Sequence, residues 1–214
     1  MVSHEFRTSV SNISAALEII ERRSPGGVNE SEYARIRHAI NKLCRLIETC
    51  AFEDRICSGT DLETTNHVDI GDIIREVIEE IVPPVRTNDV HLKMNVGPYL
   101  LISDRTLVST ALSNLIDNAI KFSAVGSAVE IEVNRRDTHL TFTVADRGPG
   151  VPESERHAIF QKFYRSSTSE RTPGSGLGLH IVKQVAEYFN GLVSVTGREG
   201  GGAEFTLQIS NEKL

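Results

Sequence analysis

Ser113-Asn114-Leu115-Ile116-Asp117-Asn118-Ala119-Ile120-Lys121-Phe122 is the stretch whose reading decides the fold. At helical period it has two faces. Val108, Leu112, Leu115, Ala119 and Phe122 make an apolar stripe that has to face a core. Asn114, Asn118 and Lys121 fall at i, i+4 and i+7 and make a polar stripe beside it. Two carboxamides and an ammonium on one face are costly to bury without a partner. As a ligand surface the set suits a metal-bound polyphosphate: amide oxygen for a hard cation, amide N–H and Lys⁺ for phosphate oxygens. The alternative is a solvated helix face. Two glycine-rich turns downstream favour the ligand surface. Asp146-Arg147-Gly148-Pro149-Gly150 follows a predicted strand, and Gly174-Ser175-Gly176-Leu177-Gly178-Leu179 opens a predicted helix.

Composition bounds the rest. The 214 residues are 39% hydrophobic and 24% charged, which describes a globular protein of one or two domains. A formal charge of −6 argues against general nucleic-acid binding. That charge is unevenly placed: residues 1–58 are balanced, eight basic against eight acidic, so the excess falls on residues 59–214. No apolar run approaches the ~18 residues of a membrane span. The first residues lack the pattern of a signal peptide. The expectation is a cytoplasmic segment without membrane contact. Cys44, Cys50 and Cys57 lie on one predicted helix and read as reduced core thiols.

Residues 1–58 read as a helical hairpin. Phe6, Val10, Ile13, Leu17 and Ile20 make one heptad-like seam, and Ser24-Pro25-Gly26-Gly27 breaks the helix. Asn29 or Ser31 caps a second helix with the seam Tyr33, Ile36, Ile40, Leu43, Ile47 and Cys50. Two helices cannot bury such seams alone. They pack either against the chain's own second domain or, more economically, as a four-helix bundle made by two chains. His4-Glu5-Phe6-Arg7-Thr8 lies at the start of the first helix, with His4 off the seam. A lone surface His beside Glu usually carries no function. Here His4, Glu5 and Thr8 gather an imidazole, a carboxylate and a hydroxyl on one patch.

Residues 59–66 form a polar connector, and the second domain is expected over 67–214. Val68-Asp69-Ile70 reads as a short edge strand and Asp72 to Val82 as a helix stopped by Pro83-Pro84. His91 to Val96 and Tyr99 to Ser103 read as strands around Gly97-Pro98, and Asp104 caps the central helix. Val129, Ile131 and Val133 alternate with Glu130, Glu132 and Asn134; Leu140, Phe142 and Val144 repeat that pattern into Asp146. Val193, Val195, the Gly200-Gly201-Gly202 turn, Phe205, Leu207 and Ile209 read as a terminal hairpin. The sum is an α+β sandwich, one largely antiparallel sheet with helices on one face. Between Val151 and Pro173 periodicity fades. Phe160 to Arg165 has aromatics and a basic end, and Ser166 to Pro173 reads as a mobile lid. Glycines at 174–178 let backbone N–H groups approach phosphate at a helix N-terminus.

In this order and spacing the motifs resemble the catalytic core of a sensor histidine kinase from a bacterial two-component system. The resemblance covers nearly all 214 residues. His4-Glu5-Phe6-Arg7-Thr8 resembles the phosphoacceptor box, Asn114 to Phe122 the N box, Asp146 to Gly150 and Gly174 to Leu179 the glycine boxes, and Phe160 to Arg165 the F box. The last four are shared with the GHKL (Bergerat) ATP-binding fold of DNA gyrase and certain heat-shock chaperones, and the His-containing hairpin selects histidine kinase among them.

The resemblance implies ATP and Mg²⁺ as cofactors, with Asn118 as the Mg²⁺ ligand. It implies that Asn114, Lys121 and Phe122 line or support the nucleotide and that Asp146 accepts from the adenine amino group. Gly148 and Gly150 would turn close to the base, and Gly174, Ser175, Gly176, Leu177, Gly178 and Leu179 would form the phosphate-side hinge. Arg165 would lie near the γ-phosphate, His4 would be the nucleophile and Glu5 would hold its opposite ring nitrogen. It implies a homodimer that passes phosphate to the receiver domain of a response regulator, and Thr8 is associated with removing that phosphate. Three departures stand out: Ser9 where the family often has Pro, His180 where a small residue is usual, and only three residues before His4 where family members have more helix and a sensor, so that an excised core is expected.

Overall fold

The computed structural model describes residues 13, 68–81, 90–96, 100–101, 105–124, 126–136, 138–169, 172 and 174–210. The chain divides into two units, Met1–Thr60 and Asp61–Leu214. The expected hairpin over 1–58 with its three cysteines, the connector 59–66 and the site residues His4, Glu5 and Thr8 lie outside the described residues. Ile13, a helical residue that is 52% exposed, is described by itself. Pro83-Pro84, Gly97-Pro98 and Asp104 also lie outside.

In the second unit β1 (Val68–Asp69) is followed at once by α1 (Ile70–Ile81). Ile70, expected in the strand, is the first helical residue instead. The reason is Asp69, whose Oδ1 accepts from the Gly71 N–H at 2.6 Å and so caps the helix. β2 (Val90–Val96), β3 (Leu100–Leu101), α2 (Arg105–Phe122), β4 (Ser127–Arg136) and β5 (His139–Ala145) come next. After a run of short 3₁₀ turns the chain ends with α3 (Gly178–Tyr188), β6 (Leu192–Gly197) and β7 (Ala203–Ser210).

Five strands form one sheet in the order β2-β4-β5-β7-β6. Every pairing is antiparallel except β2 with β4, which is parallel. β1 and β3 make a separate antiparallel pair. The two strands read on either side of Gly97-Pro98 therefore belong to different sheets. Register explains the face selection. Ile131, Val144, Phe205 and Val195 stand opposite one another across four strands, as do Val133, Phe142, Leu207 and Val193. Directly opposed residues share a face, and these rows are buried apart from the half-buried edge residue Val193. The intervening row Glu132, Thr143, Thr206 and Ser194 is polar. One face is apolar and one is wet, as alternation requires.

α2 packs between α1 and α3, and α2 and α3 cover the apolar face. The buried stripe of α2 is Leu107, Val108, Ala111, Leu112, Leu115, Ile116 and Ala119. It is wider than expected, because a helix at the centre of a layer meets a neighbour on each side as well as the sheet. Phe122 is half-buried. Each fully buried aliphatic side chain contributes about 1.5–3 kcal/mol.

Leu115 is fully buried, whereas Leu192 on the outer strand is 52% exposed. In chemical denaturation Leu115→Ala is expected to cost about 2–5 kcal/mol, and Leu192→Ala about 0.5 kcal/mol or less. Equal losses at the two positions would contradict the placement of the core.

Candidate functional site

Of the predicted site residues of the second unit, Gly148, Gly174 and Gly178 meet Phe122, Lys121 and Asn114 on α2, whereas Gly150 packs against Gly202 and Arg165 bonds the turn that follows it. At its C-terminal end the Phe122 carbonyl oxygen lies against Gly148. A β-carbon there would stand 2.4 Å from it, so this contact admits only glycine. One residue earlier Lys121 Nζ lies 3.0 Å from where a β-carbon of Gly174 would be. Asn114, about 10 Å back along the axis, places Oδ1 beside Gly178. Its Nδ2 donates to the Thr110 carbonyl at 2.9 Å, which fixes the amide with its oxygen turned toward the glycine segment. Asn118 is half-buried, and its side-chain amide has no hydrogen-bond partner among the described residues.

The glycine segment is seated in turn on the aromatic one. Gly176, at φ +71°, approaches the Tyr164 carbonyl so closely that a β-carbon would stand 2.7 Å away. The Phe163 N–H donates to the Gly176 carbonyl at 2.9 Å. Phe163 itself has φ +66° and is 53% exposed, and Phe160 is buried. Ser175 Oγ accepts from the Leu177 N–H at 3.4 Å, Leu177 is buried as an anchor, and Leu179 is half-buried. His180 gains a place here: its Nδ1 stands 3.3 Å from the Phe160 carbonyl oxygen, and the Nδ1–H tautomer donates to it.

Asp146, one residue beyond β5, is 3% exposed. Its Oδ1 accepts two main-chain bonds, from Gly148 N–H at 2.7 Å and Ala203 N–H at 3.2 Å. Its own N–H donates to the Ala203 carbonyl at 2.9 Å. Oδ2 is left without a partner among the described residues. Burial pushes this carboxyl above the usual aspartate range, opposed by the two main-chain bonds and by the Arg198 guanidinium. A raised value means that ionisation counts against folding: the favourable contribution exists below the ordinary aspartate pKa and is lost as pH rises through the folded value. A carboxylate held at such a cost, with one oxygen open, is a functional candidate. Gly150, at φ +72°, closes this turn against Gly202.

Several residues escaped the sequence reading. Arg147 Nη1 donates to the Glu199 carbonyl at 2.9 Å, and Arg198 reaches both Asp146 and Glu130. The expected lid is also different at its start. Ser166 to Ser169 is a pinned turn, because the Glu155 carboxylate accepts from Ser166 Oγ at 2.5 Å, Ser167 Oγ at 2.6 Å and the Ser167 N–H at 3.1 Å. Thr168 Oγ1 donates to the Gly150 carbonyl at 3.0 Å. Arg165 points along this turn and donates to the Ser169 and Thr172 carbonyls at 2.7 and 2.6 Å. Glu170, Arg171 and Pro173 lie outside the described residues.

The arrangement offers one fixed acceptor oxygen near the C-terminal end of α2. Along the same helix lie two carboxamides and an ammonium, backed by glycine main chain. That pattern matches a ligand with an exocyclic amine at one end and phosphates at the other, and the amide oxygen of Asn118 fits a hard cation between phosphate oxygens.

Residues 103–213 match the family described as histidine kinase-, DNA gyrase B-, and HSP90-like ATPase. The signal transduction histidine-protein kinase/phosphatase MprB of Mycolicibacterium paratuberculosis is 32% identical over 205 residues, covering 93% of this chain. The chain spans 39% of that relative's length. Among solved structures, a mycobacterial sensor histidine kinase MprB superposes with a TM-score of 0.61 at 30% identity, over 71% of this chain and all of that one. Full-length ShkA in complex with AMPPNP gives a TM-score of 0.69 at 27% identity, over all of this chain and 46% of that one. No helix among the described residues is long and apolar enough to cross a membrane.

The Glu155 clamp predicts a pH dependence. Its three hydroxyl and amide bonds hold the carboxyl below the usual glutamate value of 4.5. A lowered folded value contributes stability that is present above 4.5 and is lost as pH falls through the folded pKa. The Ser167 amide resonance is expected to titrate with a midpoint below 4.5, and Glu155→Gln is expected to abolish that titration. A midpoint at or above 4.5 would contradict the clamp.

Proposed function

The chain belongs to the histidine kinase-, DNA gyrase B-, and HSP90-like ATPase family, with histidine kinases as its relatives, and on that premise we propose that it is the core of an ATP-dependent protein-histidine kinase. The observation that carries the reading is the meeting on α2 of Asp146, through Gly148, and of the segment 174–178, with Asp146 Oδ2 left open. Asp146 would accept from the adenine amino group, a charge-assisted bond that a guanine oxygen cannot make. Gly148 and Gly150 would let the main chain lie against the base. Lys121 and Asn114 would hold phosphate oxygens, helped by the N–H groups at the start of α3. Asn118 would be the protein ligand of Mg²⁺, which when bound neutralises phosphate charge and helps align the transferring group. Arg165, anchored on the turn it closes, would bring positive charge to the same region.

His4 would attack the γ-phosphorus in line, forming an N–P bond as the bond to ADP breaks. Glu5 would hold the opposite ring nitrogen and favour the developing imidazolium. Residues 1–58 would form the dimeric four-helix bundle that presents His4, joined by residues 59–66 to the ATP-binding domain at 67–214. The phosphoryl group would pass to an aspartate of a receiver domain. The segment would work in the cytoplasm as part of a longer sensor. Thr8, one helical turn from His4, would hold a water in line for hydrolysis of the receiver's aspartyl phosphate.

Incubation with labelled Mg·ATP is expected to give an acid-labile, base-stable protein phosphate. His4→Gln should abolish it while nucleotide binding persists. Undiminished labelling of that variant would refute the assignment.

Thr8→Ala is expected to keep autophosphorylation and forward transfer but to lose most dephosphorylation of the phosphorylated regulator. An Ala variant as fast as the parent would remove Thr8 from the mechanism.

A further inference from the structure

We propose that Arg198, held by Glu130, is a positioning residue for base recognition: it fixes the main chain of Asp146 and places a positive charge beside that residue. The inference rests on the reading of Asp146 as the adenine acceptor. Arg198 follows β6 directly, and its side chain is 13% exposed. Nη1 donates to the Asp146 carbonyl at 3.2 Å, and Nη2 donates to Glu130 Oε2 at 2.7 Å. One guanidinium thus ties β4, the end of β5 and the β6–β7 turn. Its main chain closes that turn: Arg198 N–H donates to the Gly202 carbonyl at 3.3 Å, and Gly201 N–H donates to the Arg198 carbonyl at 3.1 Å. The turn delivers Ala203, whose N–H reaches Asp146 Oδ1. Arg198 therefore acts on Asp146 through its carbonyl, through the strand that binds its carboxylate, and through space.

The charged surroundings are mixed. Glu130 and Glu204 flank Ala145 on the neighbouring strands, one residue before Asp146. The Arg147 guanidinium is turned to the Glu199 carbonyl, and the end of α2 presents the Phe122 carbonyl to Gly148. Burial favours the neutral acid, and Arg198 opposes it. Only the ionised carboxylate is a pure acceptor for an exocyclic amine. Glu130 orients Arg198 but also neutralises it. The two residues therefore act on Asp146 with opposite signs, which a purely structural brace would not do.

Titration calorimetry of the full chain with Mg·AMPPNP, from mildly acidic to neutral pH, reads this directly, since the nucleotide's own titration is common to all variants. Arg198→Met is expected to move the acidic limb of binding upward, with a loss of affinity on that limb. Glu130→Gln, which keeps a hydrogen-bonding partner, is expected to move the limb downward. Arg198→Lys is expected to weaken binding at every pH while leaving the limb near that of the parent. If Arg198→Met does not fold, the other two variants carry the test. Limbs that stay put, or that move the same way in Arg198→Met and Glu130→Gln, overturn the role of Arg198 and leave the nucleotide reading standing. A parent chain that does not bind Mg·AMPPNP overturns that reading and the inference with it.

Discussion

A buried carboxylate needs partners, and the partners of Asp146 hold the site together. Its Oδ1 takes the N–H groups of Gly148 and Ala203, which come from two separate stretches of chain. An unpaired buried charge is among the costliest features a fold can carry. The residues after β5 and the start of β7 therefore have to arrive at one point. Gly148 can deliver its N–H only because it lacks a side chain, since the Phe122 carbonyl already occupies that space. The end of α2 is fixed by the same contact. The rest of α2 then sets where Lys121, Asn118 and Asn114 stand.

The sheet and helices serve this geometry without making it. Rows of opposed apolar residues fix register across β4, β5, β7 and β6, because a slip of one residue would turn every core side chain to water. Register in turn sets Ala145 opposite Glu204, which puts Ala203 within reach of Asp146. Binding geometry is thus carried by the core, and the polar turn from Ser166 to Ser169 is tied to it by Glu155, Thr168 and Arg165. Those bonds are mostly exposed and are worth less than core packing.

How much of this the sequence disclosed follows from range. α2, β4, β5 and the final hairpin were legible because each buries a face at its own period, and the glycine turns because so few residues tolerate such approaches. The parallel pairing of β2 and the pairing of β1 with β3 were not, since strand order leaves no local trace. Ile70 reads as strand in the sequence because an apolar residue after Val68 fits either element; the Asp69 cap makes it helical. Arg198 was invisible for the same reason of range: its partners Asp146 and Glu130 lie 52 and 68 residues away. An Arg before a glycine turn carries no periodic signal. The Glu155 clamp reaches 11 residues along a stretch without helical or strand period, so its far side, Ser166 and Ser167, reads as the start of a mobile lid in the sequence.

The central claim is that Asp146 reads the base through one oxygen while the main chain claims the other. Asp146→Asn tests it most directly, because the two N–H groups fix which way the amide turns. They require an oxygen at the Oδ1 position, so the new NH₂ must stand where Oδ2 was and face the adenine amine, donor against donor. Binding of Mg·AMPPNP measured by titration calorimetry at neutral pH is predicted to weaken at least about tenfold, the loss of a hydrogen bond to a charged group of about 1.5–3 kcal/mol. Discrimination against the guanine analogue is predicted to fall at the same time. An Asn variant that binds the adenine nucleotide as tightly as the parent, with discrimination unchanged, would contradict the account.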